Sequence, residues 1–437
     1  MTRVVIVGGG ISGLSTAYFL AKKNLKPVVF EKERETGGLG WCHRVDGMYL
    51  DSGYHIIFRR DEHILTLLRE LGLERNLVWG DLDFRLVTGE GDIQFSPLKI
   101  LSSRFLPLSE KISLAKIYLK MKNLREWKHL DKLTAKEWIT RNGGPGVYKK
   151  VFKPIIEAKW GKDSGKASAA WFYGRLKPRS DSRNIFGGRE KAGYLRGSFK
   201  KLFSVLEREI RKRGGKITTS ANVRKISMKG GRVVSVEWER GKLVKEVKTD
   251  LVVSTVPVQE LLRISQLPLD FAKRLKKIEY KAVICVTFGL KKAVTNSFRT
   301  VFSERRPFGG LVEMTNLIDK RCFRGNHILY AFSFLDTGER LWNLEDEEVV
   351  EMYANELEEL YPGFGKLVLW SRLYRNRYGE PFYRKNYLKL MPGIRTPVKG
   401  LFITGMVQSY PVSDFNNIIA LASETSNIIC REVRNAQ

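Results

Sequence analysis

The stretch VVIVGGGISGLSTAYFLAKKNLKPVVFEKERETGGLG, residues 4–40, constrains the fold more than any other part of the chain. Val4 to Val7 form an unbroken apolar run, as expected of a strand buried on both faces of a parallel sheet. Gly8, Gly10 and Gly13 follow at GxGxxG spacing. In such a unit the first glycine makes the tight turn and the second lets the backbone approach a pyrophosphate. The third lets the following helix pack closely on the strand. Ile11 and Ser12 open that helix, while Leu14, Ala17, Leu20 and Ala21 give it a buried face. Asn24 and Pro27 end it. A second strand, Val28–Phe30, then delivers Glu31, 21 residues after Gly10. A carboxylate there can accept hydrogen bonds from a ribose diol. Strand, glycine turn, helix, strand and acid therefore stand in the order of a dinucleotide-binding fold.

The next residues bear on which dinucleotide. Gly37 and Gly38 follow closely after Glu31, where a plain nicotinamide domain would continue into another crossover. A second glycine pair permits a second close backbone approach, as a longer cofactor lying across the sheet requires. The run Glu31-Lys32-Glu33-Arg34-Glu35-Thr36-Gly37-Gly38 resembles the start of the flavin-dependent amine oxidase, protoporphyrinogen oxidase and phytoene desaturase superfamily. VDGMYLDSGYHIIF, residues 45–58, resembles that superfamily's next motif, an Asp-x-Gly-x-His stretch. The resemblance returns at residues 193–226, at 250–257 and at 400–429. It implies FAD as cofactor. On this resemblance Gly8, Gly10, Ile11, Ser12, Gly13, Glu31, Lys32, Gly37, Gly38, Leu39, Val223, Gly405 and Met406 contact it, Val223 through its backbone at the adenine. Two departures stand out: many members carry Arg where this chain has Leu39, and commonly Asp where it has Met406. Asn416 and Asn417 also stand near a position that is often Gly.

The implied architecture is α/β, a Rossmann-like FAD-binding domain with an inserted α+β substrate domain. The cofactor domain is expected from 1–75, 191–260 and 395–437, and the substrate domain from 76–190 and 261–394. Lys281–Leu290, His327–Leu335 and Leu367–Tyr383 read as strands of the inserted part.

Within that frame His55 and Tyr410 are the candidate catalytic residues: His55 by the Asp-x-Gly-x-His stretch beside the flavin ring, and Tyr410, with Pro411, as a cap on it. Trp41, Tyr54, Arg175 and Phe382 are candidate substrate contacts. Core packing is the competing reading of the aromatics. Arg175, Arg179 and Arg183, spaced by four, fall on one helical face; they read either as an anion-binding row at the mouth of the cleft or as a solvated basic face. Metal is not expected, because the five histidines form no ligand spacing with one another or with cysteine.

The bulk properties narrow the partners. There are 77 Lys/Arg against 47 Asp/Glu, a net charge of +30, and residues 101–200 hold 24 of the basic and 8 of the acidic residues. Such a surface attracts anions, although the Lys-rich proteome of a thermophile is a competing explanation. Leu101–Leu130 reads as a basic amphipathic helix with Ile112, Leu119 and Trp127 as apolar anchors, suited to an anionic membrane surface; packing on the substrate domain is the plainer reading. No helix-turn-helix, zinc or RNA-reading motif supports nucleic acid as partner. Four scattered cysteines read as reduced thiols. Val4–Val7 is needed as a strand, so no signal peptide is expected, and the expected location is cytoplasmic or peripheral on the inner face of the cell membrane. The resemblance implies a flavoenzyme taking hydride from a hydrophobic isoprenoid, carotenoid or porphyrinogen, with oxygen or a quinone as electron acceptor. The alternative is a redox-neutral flavoprotein resembling UDP-galactopyranose mutase or a carotenoid isomerase.

Overall fold

The computed structural model describes residues 4–89, 91–94, 99, 104–182 and 190–435, with side chains of 178–182 left aside. Its first sheet has five strands in the spatial order Lys216–Thr218, Val28–Phe30, Val4–Val7, Leu251–Ser254 and Leu401–Ile403. All neighbours are parallel. Both faces of the central strand are covered, which explains its unbroken apolar run. Val4 and Ile6 pack with Leu14, Leu202 and Leu206 under the helices Ile11–Lys22, Lys200–Lys212 and Phe415–Asn435. Val5, Val7 and Phe30 belong to the opposite core, where Trp238 stacks on Phe30 with centroids 5.0 Å apart. Trp238 comes from a three-stranded antiparallel sheet, Asn222–Lys229, Arg232–Arg240 and Leu243–Lys248. The chain leaves the central strand toward one edge and later returns on its other side. Their carboxyl ends therefore diverge beside Gly8, which opens a crevice at the position where doubly wound sheets take their ligands.

A seven-stranded sheet forms the second layer. Its order is Val368–Pro381, Tyr280–Leu290, His327–Leu335, Gly310–Glu313, Arg299–Phe302, Phe84–Thr88 and Gly91–Gln94. The three strands expected from sequence are its first three members. Only the Arg299–Phe302 and Phe84–Thr88 pair is parallel. The helix Asp346–Leu360 covers one face through Val349, Tyr353 and Leu357. Lys191–Leu195 pairs with both Ile57–Phe58 and Leu77–Asp81, tying the segment after Tyr54 to the inserted part.

The 101–130 segment departs from its expected form. The helix is Leu108–Asn123, and it carries two apolar faces instead of one. Leu114, Ile117 and Met121 pack on the core, while Leu108, Ile112 and Leu119 form an exposed stripe on the opposite side. Trp127 is no surface anchor: its ring meets Tyr410 edge-on at 5.4 Å. Among the described residues no helix is long and apolar enough to cross a membrane, and no group of His, Cys, Asp or Glu could hold a metal ion.

Candidate functional site

The first glycine turn is held by steric necessity at two positions. Gly8 has φ +106°, and a Cβ on Gly13 would lie 1.9 Å from the Gly8 carbonyl oxygen. Gly10 differs. Its φ of −75° suits any residue, and a Cβ there would meet nothing nearer than the Gly38 Cα at 3.7 Å. Neither the backbone nor the neighbouring protein requires glycine at this position, which fits a cradle kept open for a ligand. The helix that begins at Ile11 has no side-chain cap and no acid in its first turn, so its first N–H groups are available to an anion.

Two further segments converge on this cradle. Gly37 donates its N–H to Gly9 O at 3.0 Å, which sets the second glycine pair against the first. The Ser12 hydroxyl donates to Thr404 O at 2.9 Å and brings the Gly405 loop to the same helix start. Glu31 is buried at the end of the second strand. It accepts from Gly9 N at 2.6 Å and from Glu33 N at 2.9 Å, and burial raises its pKa against these hydrogen bonds. Its backbone carbonyl accepts from Ala221 N, close to the buried Val223. Lys32, in contrast, points to solvent beside Glu33. The residues present thus fit a dinucleotide cofactor.

The C-terminal loop, where the sequence departs from the family motif, is held by its own hydrogen bonds. Gln408 accepts from Gly405 N and donates to Ile403 O, closing the loop on itself. Tyr383 and Tyr387 donate to the carbonyls of Met406 and Val407. Asn416 accepts from the N–H groups of His63 and Ile64, so it caps the helix Glu62–Glu70, whose own N-cap residue makes no side-chain cap.

Several expected site residues take other roles. Tyr410 does not present a free hydroxyl: it donates to Asp131 at 2.7 Å, lies 2.6 Å from the Ser168 hydroxyl and is buried. It fastens the loop. Phe382 does not line a cleft, because it is 1% exposed and packs edge-on against Trp160 at 5.1 Å. His55 lies beside the glycine pair, where Nε2 donates to Leu39 O at 3.3 Å. Its ring stacks on Phe415 at 4.6 Å and meets Phe199 edge-on. Trp41 lies parallel to Tyr374, with centroids 6.2 Å apart, and the Tyr374 hydroxyl reaches Gly38 O at 3.4 Å.

Of the arginine row, Arg175 is paired and not freely solvated. Arg175 lies in the helix Ala169–Ser182 and turns inward to Glu380 at 3.2 Å; the side chain of Arg179, and Arg183, lie outside the described residues. Glu380 also binds Lys159, whose ammonium lies over the Phe334 ring. Burial lowers the Lys159 pKa to about 8; Arg175 and Arg299 add to that and Glu380 opposes it. Arg299 donates to the Tyr54 hydroxyl at 3.2 Å. Glu380, Lys159 and Arg299 escaped the sequence reading because nothing local marks them. Each is a charged residue in or beside an apolar run.

His55 yields a pH prediction. Burial lowers its pKa to about 4, so it is neutral at pH 7. Between about pH 6.5 and 4 the unfolded chain binds this proton and the folded one does not. The contribution is therefore full above 6.5 and is lost as pH falls, by roughly 3 kcal/mol. An NMR titration should find the His55 ring neutral down to about pH 4. A midpoint near 6.5 would contradict the desolvation of the half-buried ring.

Comparison with known proteins agrees with this geometry. The family described as flavin containing amine oxidoreductase matches residues 11–416. The chain is 26% identical to protoporphyrinogen oxidase 1 of Spinacia oleracea, over 82% of this chain and 70% of that one. It is 24% identical to the 15-cis-phytoene desaturase of an Oncidium hybrid cultivar, over 92% and 73%. The crystal structure of an oxidoreductase from Methanosarcina mazei shares the fold, with a TM-score of 0.74 at 19% identity, covering 98% of this chain and all of that one. The chain belongs to the flavin containing amine oxidoreductase family and is an FAD-dependent oxidoreductase.

Proposed function

We propose that the protein takes hydride from a hydrophobic or conjugated substrate and passes the electrons to oxygen or a quinone. The observation that carries this reading is the aromatic wall beside the glycine pair. Trp41 and Tyr374 stack next to Gly38, and the half-buried Tyr54 is backed by the core residues Phe298 and Phe332. Flat, apolar surfaces of this kind suit a conjugated ligand. Bound FAD supplies the hydride-accepting centre.

The chain's own residues hold and shield that cofactor. Gly10 leaves room for the pyrophosphate, Gly38 has no Cβ to press on Gly10, and the first N–H groups of the helix at Ile11 stabilise the charge. Glu31 keeps lone pairs free for a ribose diol after its two backbone contacts. Gly405 and Met406 border the same helix start through Ser12 and Thr404. His55, neutral and stacked on Phe415, acts as a positioning group for the Leu39 backbone. A diphosphate-binding mutase would need paired guanidinium forks inside the cleft. Arg175 does turn inward, but its charge is already shared with Glu380, which favours the dehydrogenase reading.

Peripheral membrane association is supported by the exposed stripe of Leu108, Ile112 and Leu119. Lys111 and Lys122 flank it on one side and Lys116 on the other, by their spacing along the helix. Each lysine near an anionic surface contributes about 1 kcal/mol, screened by salt.

Three outcomes are expected. Under anaerobic conditions a polyene or a porphyrinogen should bleach the flavin without NADPH; turnover of a nucleotide sugar only after prior flavin reduction, with no net redox change, would overturn the reading. Gly10→Ala should fold as the parent does, since its Cβ comes no nearer than 3.7 Å to Gly38 Cα, yet bind flavin more weakly, whereas Gly13→Ala should fail to fold, since its Cβ meets the backbone. Undiminished flavin affinity in Gly10→Ala would refute the placement of the pyrophosphate at Gly10. Cosedimentation with anionic vesicles should exceed that with neutral ones and fall with salt. Replacing Leu108, Ile112 and Leu119 together by Gln should abolish it.

A further inference from the structure

The hydride-transfer reading leaves open what else the substrate carries. The charges around Tyr54 bear on it. Three cations (Lys159, Arg175 and Arg299) converge there. Lys159 and Arg175 share Glu380, and Asp414 stands within electrostatic reach of Arg175. Arg60, near Asp414, is engaged by Glu190. Arg299 has no carboxylate at ion-pair distance among the described residues, and its Nε is buried without a hydrogen-bond partner. Its guanidinium is framed by the rings of Tyr54, Phe84 and Phe332 at 5.4 to 6.0 Å. The Tyr54 hydroxyl is its one neutral partner. Arg175 is half-buried, with 35% of its side-chain surface accessible, so the cluster borders open space.

Arg299 is half-buried with its Nε shut off from solvent; withdrawing part of a guanidinium from water without a counter-charge is costly, and a ligand anion would relieve that cost. From Arg299, set in this ring of aromatics, we infer that the substrate bears a carboxylate on an otherwise apolar, conjugated body, and that Arg299 with Tyr54 and Arg175 binds it. A planar fork matches a carboxylate. One unpaired guanidinium matches one negative charge, and a diphosphate would bring more charge than the cluster has free. A cationic amine would meet repulsion. This inference rests on the hydride-transfer reading and refines its substrate class.

The test is binding to the FAD-loaded protein, followed by flavin absorbance and fluorescence. The probes are retinoic acid against retinol, mesoporphyrin IX against its dimethyl ester, and retinylamine and UDP-galactose alone. At least one acid should bind about tenfold more tightly than its uncharged partner, with the difference shrinking in salt. Arg299→Gln should remove the difference and leave uncharged-probe binding unchanged, and Arg299→Lys should restore part of it. If Arg299→Gln does not fold, Tyr54→Phe should still weaken the acid roughly fivefold. Equal binding of acid and partner, binding of neither acid, preference for the amine or UDP-galactose, or an acid preference that survives Arg299→Gln would each overturn the inference. Bleaching by an uncharged polyene without a carboxylate preference would refute it and leave hydride transfer standing. A carboxylate preference with no bleaching by any substrate would do the reverse.

Discussion

The approach of one helix to one strand governs the cofactor end of this molecule. At Gly13 the helix backbone lies so near the Gly8 carbonyl that even a methyl group is excluded. That contact aims the helix N-terminus across the crevice where the central strand and Leu251–Ser254 part. The Ser12 hydroxyl then ties the helix to the C-terminal loop, and the Gly9 carbonyl ties the turn to the second glycine pair. Three segments, near the start, at residue 37 and near residue 405, thus meet around one helix end. Loosening the helix from the strand would disperse all three.

The parts that were legible in the sequence share a property: their physical cause lies within a few residues. The strand Val4–Val7 is buried on both faces and is therefore apolar throughout. Gly13 is glycine because of Gly8, and Glu31 follows its strand directly. The strands at 280–290 and 327–335 announce themselves by apolar runs. Illegible were side chains whose partners lie far along the chain. Phe382 reads locally as part of a substrate wall, but Trp160 covers it. Tyr410 reads locally as a residue with a free hydroxyl, whereas that hydroxyl donates to Asp131, 279 residues away. Trp127 reads locally as a surface anchor and instead packs on Tyr410. An aromatic residue in an apolar context has the same local signature whether it faces a ligand or a core.

The arginines illustrate the same limit for charge. A row at four-residue spacing predicts a shared helical face but not what that face meets. Arg175 meets Glu380, which sits two residues before Phe382 in a strand from the other end of the chain. A net charge of +30 says little about a cluster in which two of three cations share one carboxylate. The helix Leu108–Asn123 likewise has apolar residues on opposite faces. Its core face and its exposed stripe therefore answer to different constraints, and the pattern along the sequence superimposes them.

The pairing of Phe84–Thr88 with Arg299–Phe302 has a consequence for how the molecule comes into being. Residues 84 and 299 lie side by side, and the fifth strand of the parallel sheet arrives only at Leu401. Neither sheet can be completed from a contiguous stretch. Pairings this distant in sequence fold slowly, since loop closure precedes the contacts that reward it. During synthesis the glycine turn emerges before the strands Leu251–Ser254 and Leu401–Ile403, and waits for them before its crevice has walls. Until then the apolar strands at 280–290 and 327–335 have open edges, the feature that makes partly folded chains prone to associate. The discontinuous layout thus places the greatest hazard of aggregation late in synthesis.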